Sequence, residues 1–174
     1  MRQKLVNIYS HNDLMLPENR AIKEKVIEKL HNINVEDLNW YDFIYGQYRE
    51  DLETLGFYNI IFAFSGFHSQ GSGTRIECSI PYGNAIEILD FPTQNNCEDI
   101  QITAMSSRYL HEMTLEIRGD ETLGSRKVLS FIREKSRELY KDLEKEHDNL
   151  TSEEAIMSTI EANDYEFNEK GEME

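Results

Sequence analysis

Residues 57–80 read FYNIIFAFSGFHSQGSGTRIECSI, and how this stretch folds decides the architecture. Phe57 to Ser65 is aromatic and β-branched enough to form a buried strand, and Thr74 to Ile80 alternates Ile76, Cys78 and Ile80 on one side. Between them Gly66, Gly71 and Gly73 permit positive φ or a close approach of backbone, and Ser65, Ser69, Gln70, Ser72 and Thr74 supply short hydrogen-bonding groups. The two runs are therefore predicted to pair antiparallel across this turn, whose motif residues are Ser65, Gly66, Phe67, His68, Ser69, Gln70, Gly71 and Gly73. The turn has no P-loop lysine and leads into no clear helix, so it matches neither phosphate-binding signature. It reads first as a hairpin turn and second as a loop that grips a ligand.

Upstream, Leu5–Tyr9 is predicted as a short opening strand. Pro17 then opens a helix to about His31, with Ile22, Val26, Ile27 and Leu30 at helical spacing. A second helix over roughly Glu36 to Leu55 carries the stripe Leu38, Tyr41, Ile44, Tyr45, Tyr48, Leu52 and Leu55, and Gly56 is its expected C-cap. Gly46 inside that helix costs on the order of 1 kcal/mol relative to alanine, so it is predicted to mark a close packing contact or a functional approach.

Downstream, Pro81 ends the second strand and Tyr82–Asn96 reads as a short helix or loop. Ile100–Ser106 and Tyr109–Arg118 are predicted as another antiparallel pair, and Thr122–Asp148 as a long helix whose Val128, Phe131, Ile132, Leu139 and Leu143 cover the sheet. Thr151 and Glu154 form a capping box, with Leu150 stapled onto Ala155, for a last short helix facing Ile156 and Ile160 inward. Asn163–Glu174 is expected to be a strand fragment and a frayed acidic tail. The sum is an α+β fold, an antiparallel sheet of about four strands packed against a long helix, with an N-terminal helical pair. It is expected as one domain over 1–174: a helical part at 1–56, the sheet at 57–118, and C-terminal helices with the acidic tail at 119–174.

A chain of 174 residues buries roughly 70% of its unfolded surface, enough for a core without staples. The two cysteines, Cys78 and Cys97, sit among ordinary neighbours, and no basic-plus-apolar leader or spanning apolar run is present, so a cytoplasmic location without membrane contact is expected. The net charge of −15 is the strongest bulk property. So acidic a surface repels nucleic-acid phosphates and favours partners with basic surfaces, although acidity also serves solubility alone. The charge is local. Glu36, Asp37, Asp42, Glu50, Asp51 and Glu53 face only Arg49 across 36–53, and eight carboxylates, Glu153, Glu154 and Glu161 among them, face only Lys170 across 151–174. The 122–148 segment balances seven basic against six acidic residues and reads as a solvated helix with pairs four apart.

Two constellations carry candidate chemistry. His68, Cys78, Cys97 and His111 are ligand types that suit tetrahedral zinc, though none stands at finger spacing, and a buried cysteine with isolated histidines is the competing reading. His111 with Tyr109, Glu112 and the polar turn offers a base and orienting groups for hydrolysis. On a strand, His111 and Glu112 are predicted to point to opposite faces, while Tyr109 and His111 share one.

FSGFHSQGSG resembles the S-G-F-W-S-Q-G-D-G motif of small proteins encoded by bacteriophages and integrated elements, a family whose activity is largely uncharacterised. RYLHEMT, Arg108 to Thr114, is similar to that family's Y-x-H-E-x-T segment. LTSEEAIMSTIEANDYEF, Leu150 to Phe167, resembles its C-terminal helix and E-A-N-x-Y-E-F tail, and WYDFIY, Trp40 to Tyr45, extends the likeness over most of the chain. His68 stands where the family usually has tryptophan and Ser72 where it usually has aspartate.

The resemblance together with the clustered acidity implies a phage-encoded inhibitor of a bacterial defence system, a restriction enzyme or CRISPR effector nuclease. It would bind the host protein's basic nucleic-acid surface as a DNA mimic, without touching nucleic acid itself, and block DNA loading. The expected contacts are Glu36, Asp37, Asp42, Glu50, Asp51, Glu53, Glu153, Glu154 and Glu161. The alternative is a metal-dependent hydrolase or nucleotide-processing enzyme centred on the glycine-rich turn and His111, with zinc as the implied metal.

Overall fold

The computed structural model describes residues 7–36, 39–67, 72–89, 98–105, 110–119 and 121–174, with the side chains of residues 34–36 and 86 outside that set. In chain order the elements are β1 (Ile8–Tyr9), α1 (His11–Leu14), α2 (Arg20–Glu36), α3 (Asp42–Thr54), β2 (Tyr58–Phe64), β3 (Thr74–Ile80), α4 (Tyr82–Leu89), β4 (Ile100–Ala104), β5 (Leu115–Arg118), α5 (Leu123–Thr151), α6 (Glu153–Ala162) and β6 (Phe167–Asn168). They divide into two compact units, residues 1–40 with 145–174, and residues 41–144.

The second unit is built on an antiparallel sheet of order β2-β3-β4-β5. As the alternation predicts, β2 and β3 pair across the glycine-rich turn, with Phe62 opposite Ile76 and Phe64 opposite Thr74. Ile76, Cys78 and Ile80 are buried on one face. The long helix α5 covers that face through Val128, Ile132, Leu139 and Leu143, all fully buried, each contributing about 1.5–3 kcal/mol by burial. Polar pins fix its placement. The Ser136 hydroxyl accepts from the Ile76 amide at 3.1 Å and donates to the Ile132 carbonyl, and the Thr74 hydroxyl donates to the Ser136 carbonyl. Phe131 stacks on Phe57 with ring centres 5.9 Å apart.

Helix α3 lies on the same face, where Tyr45 stacks on Phe62 at 4.7 Å and the Arg49 guanidinium donates to the Ile60 carbonyl. It begins at Asp42, not near Glu36, because nothing in 31–36 breaks α2, which runs on to Glu36. Its C-terminus is closed as expected. Gly56, at φ +86°, donates to the Glu53 carbonyl and Phe57 donates to the Leu52 carbonyl, the paired bonds that end a helix in a left-handed residue. Gly46 is a correction. It is exposed, and a Cβ there would meet nothing within 4 Å, because it sits off the buried stripe of the helix.

The last strand also starts later than its hydrophobicity suggests. Leu110 is not in a strand and Glu112–Thr114 form a 3-10 turn ahead of β5. The His111 ring nitrogen accepts from the Met113 amide and the His111 carbonyl accepts from Thr114, local bonds that compete with the sheet ladder. Tyr109 lies outside the described residues.

In the first unit β1 pairs antiparallel with β6, setting Tyr9 opposite Phe167. Leu14, Val26, Leu30, Ile156, Met157, Ile160 and Phe167 form its core, so the helical periodicities of residues 22–30 and 156–160 are real. The cap of α6 is Ser152, whose hydroxyl accepts from the Ala155 amide at 3.2 Å; Thr151 ends α5 instead and donates to the His147 carbonyl. The tail is not frayed. Phe167 is buried, Met173 bridges back to it, and the Asn168 side chain bonds to Glu172 and Glu174, because one aromatic in the tail finds a core to enter.

Candidate functional site

The second unit brings two of the motifs singled out in the sequence into contact. Gly73, at the mouth of β3, accepts from the Ser65 amide at 3.0 Å and closes the turn that Gly66, at φ +57°, helps to bend. A Cβ at Gly73 would lie 2.8 Å from His111 Cδ2 and 2.8 Å from the Leu110 carbonyl oxygen. Its φ is not positive, so this glycine is required by proximity to His111 and not by backbone conformation. His68, Ser69, Gln70 and Gly71 lie outside the described residues. Phe67 stacks on Phe64 and meets Tyr140 of α5 at 5.5 Å.

His111 and Glu112 are joined, not divided between two faces. The 3-10 turn swings them together, and His111 Nδ1 lies 2.9 Å from Glu112 Oε2. Glu112 is buried to 8% exposure, and its other oxygen accepts from Arg137 Nε at 3.0 Å. Ser72, Gly73, His111, Glu112, Arg137, Tyr140 and Lys141 line a cleft of about 340 Å³.

The four proposed zinc ligands are not assembled among the described residues. Cys78 points into the core, and burial, with a lesser push from Glu77, raises its thiol pKa to about 12. It stands five residues along β3 from Gly73, roughly 16 Å at the usual rise, so it cannot share an ion with His111. His68 and Cys97 lie outside the described residues, and no group of three or more His, Cys, Asp or Glu among the described residues is placed to hold a metal.

The acidic residues separate by unit. Asp42, Glu50, Asp51 and Glu53 are exposed on α3 in the second unit, and Glu153, Glu154 and Glu161 are exposed on α6 in the first, where Lys23 pairs with Glu153 at 2.5 Å. The Glu36 side chain and Asp37 lie outside the described residues. Sequence reasoning missed two members of the α3 group. Glu138 and Asp142 of α5 join Glu50 and Asp51 around a groove of about 400 Å³, with Lys135 as the one cation lining it among the described residues. The Tyr48 hydroxyl donates to Asp142 at 2.7 Å. Burial first, then that bond and the charges of Asp142, Glu138 and Asp51, hold its phenol well above the ordinary value.

The missed signal is a segregation hidden by the balanced count. Arg133, Arg137 and Lys141 recur four apart on one flank of the buried stripe of α5, and Glu134, Glu138 and Asp142 on the other. The helix is close to neutral in sum, seven basic against six acidic residues, and polar across its width.

Residues 40–153 match the family described as Domain of unknown function (DUF8835), and the chain belongs to that family. The match spans the whole of the second unit, including both motif segments and the two clefts described above. No curated protein and no solved structure matches the chain.

Proposed function

We propose that the protein acts by binding, as an acidic inhibitor that occupies a basic nucleic-acid surface on a host defence nuclease and prevents DNA loading. The single observation behind this reading is the α3–α5 groove, where carboxylates from two helices far apart in sequence gather around one lysine. Coulomb attraction to a cationic cleft scales with such local density, and the remaining α3 acids, Asp42 and Glu53, enlarge the exposed set. The phage likeness of the sequence motifs supplies the biological setting, and a restriction enzyme or CRISPR effector nuclease is the proposed partner.

The test is a DNA-loading assay on nucleases recovered with the protein from bacterial lysate. Inhibition is expected to fade as salt rises and to be lost in the combined variant Glu50→Gln, Asp51→Asn, Glu138→Gln, Asp142→Asn. Inhibition indifferent to both changes would falsify the mimic.

A second reading, hydrolysis or nucleotide processing at His111, is favoured by one observation: the buried Glu112 ties His111 to Arg137 at the wall of a cleft. Carboxylate, imidazole and guanidinium in one chain are the parts of acid–base chemistry on an anionic substrate.

A further inference from the structure

The cleft around His111 has a chemical character opposite to the rest of the chain. Of its charged members, Arg137 and Lys141 outnumber Glu112, which leaves a positive spot on a protein of net charge −15. Screening over about 10 Å at ordinary salt lets such a spot act locally despite the acidic background. Glu112 holds Arg137 through Nε alone, so the guanidinium keeps its terminal N–H groups, and Lys141 has no partner among the described residues.

The state of His111 follows from its neighbours. While the Met113 amide donates to Nδ1, the lone pair is on that nitrogen and the ring proton is on Nε2. When the ring is an imidazolium paired with Glu112, Nε2 carries a proton as well. In both of these states Nε2 is a donor, whereas in the neutral tautomer that donates from Nδ1 to Glu112 it holds a lone pair, so an anionic ligand at Nε2 selects the first two states; Nε2 has no partner among the described residues. A metal needs a lone pair there, whereas an oxyanion needs a proton. Tyr140 lines the same wall.

We propose that this cleft binds a phosphate group, gripped by Lys141, the terminal nitrogens of Arg137 and Nε2 of His111. Donors arriving from two elements suit a tetrahedral oxyanion better than a planar carboxylate, and Glu112 serves as the positioning residue that fixes both His111 and Arg137. The proposal deepens the second reading above by naming its ligand class, but binding requires no turnover, so the two fail separately.

The experiment is a nitrogen-15 histidine NMR titration of the full chain at low ionic strength, using inorganic phosphate in one arm and adenosine monophosphate in the other. The Nε2 signal of His111, assigned with His111→Gln, is expected to be protonated and to shift saturably. Lys141→Gln, an exposed position that leaves the core intact, is expected to weaken the response about tenfold or more, and Glu134→Gln on the acidic flank to preserve it. Equal affinity in the two arms identifies free phosphate as sufficient, and tighter adenosine monophosphate identifies a phosphomonoester; either supports the site. An unprotonated Nε2, or a shift that sodium chloride at matched ionic strength reproduces, overturns it.

Discussion

His111 fills the space that a side chain on Gly73 would need, with the imidazole and the Leu110 carbonyl each 2.8 Å from the position of the missing Cβ. The two residues belong to different sequence motifs, and their contact is what makes those motifs one site. Gly73→Ala is expected to destabilise the protein by about 1–3 kcal/mol through overpacking, and to displace His111 from Glu112. Urea unfolding together with the His111 NMR signals checks this; an unmoved imidazole would contradict the geometry.

Gly46 is the opposite case. It lies in the interior of α3 with open space where a side chain would stand, so Gly46→Ala is expected to stabilise by about 0.5–1 kcal/mol. Gly56→Ala, which meets both a positive φ and the Asn84 amide, is expected to destabilise. A urea denaturation pair reads both signs in one experiment.

Cys78 sets an alkaline limit. Burial, then Glu77, raises the folded thiol pKa to about 12 from the 9.0 of an exposed cysteine, so the folded state holds the proton more tightly. The resulting stability is complete below about pH 9 and is lost as pH climbs toward 12. Unfolding midpoints of the native protein are expected to fall across that window more steeply than those of Cys78→Ala. Peptide-mapped alkylation near neutral pH is expected to leave Cys78 unmodified until denaturant is added.

Tyr48 reports on the acidic groove. Its phenol is held up by burial first and by Asp142, Glu138 and Asp51 after that. Asp142→Asn combined with Glu138→Gln is expected to bring its ionisation to lower pH, seen as an earlier tyrosinate absorbance step. An unshifted step would mean that the carboxylates do not act on that groove.

Much of the sheet was legible because its signals are local. Ile76, Cys78 and Ile80 alternate, the turn is marked by glycine, and α5 repeats Val128, Ile132, Leu139 and Leu143 at helical spacing. The site was only half legible. His111 stood out by residue type, but its partnership with Glu112 depends on a 3-10 turn inside a stretch as apolar as a strand, and its contact with Gly73 joins residues 38 positions apart. Glu138 and Asp142 were hidden by adding charges along α5 instead of around it. The tail was misjudged for a similar reason, since its many carboxylates outweigh Phe167 in composition while Phe167 decides its placement.

The pairing of β1 with β6 makes the first unit a closure of both flanks of the chain around an inserted segment. A ribosome delivers residues 41–144 in full before it has made 145–174. The sheet unit thus has all its strands available during translation, while the opening forty residues must wait for α6 and Phe167 to emerge before they have a core to join.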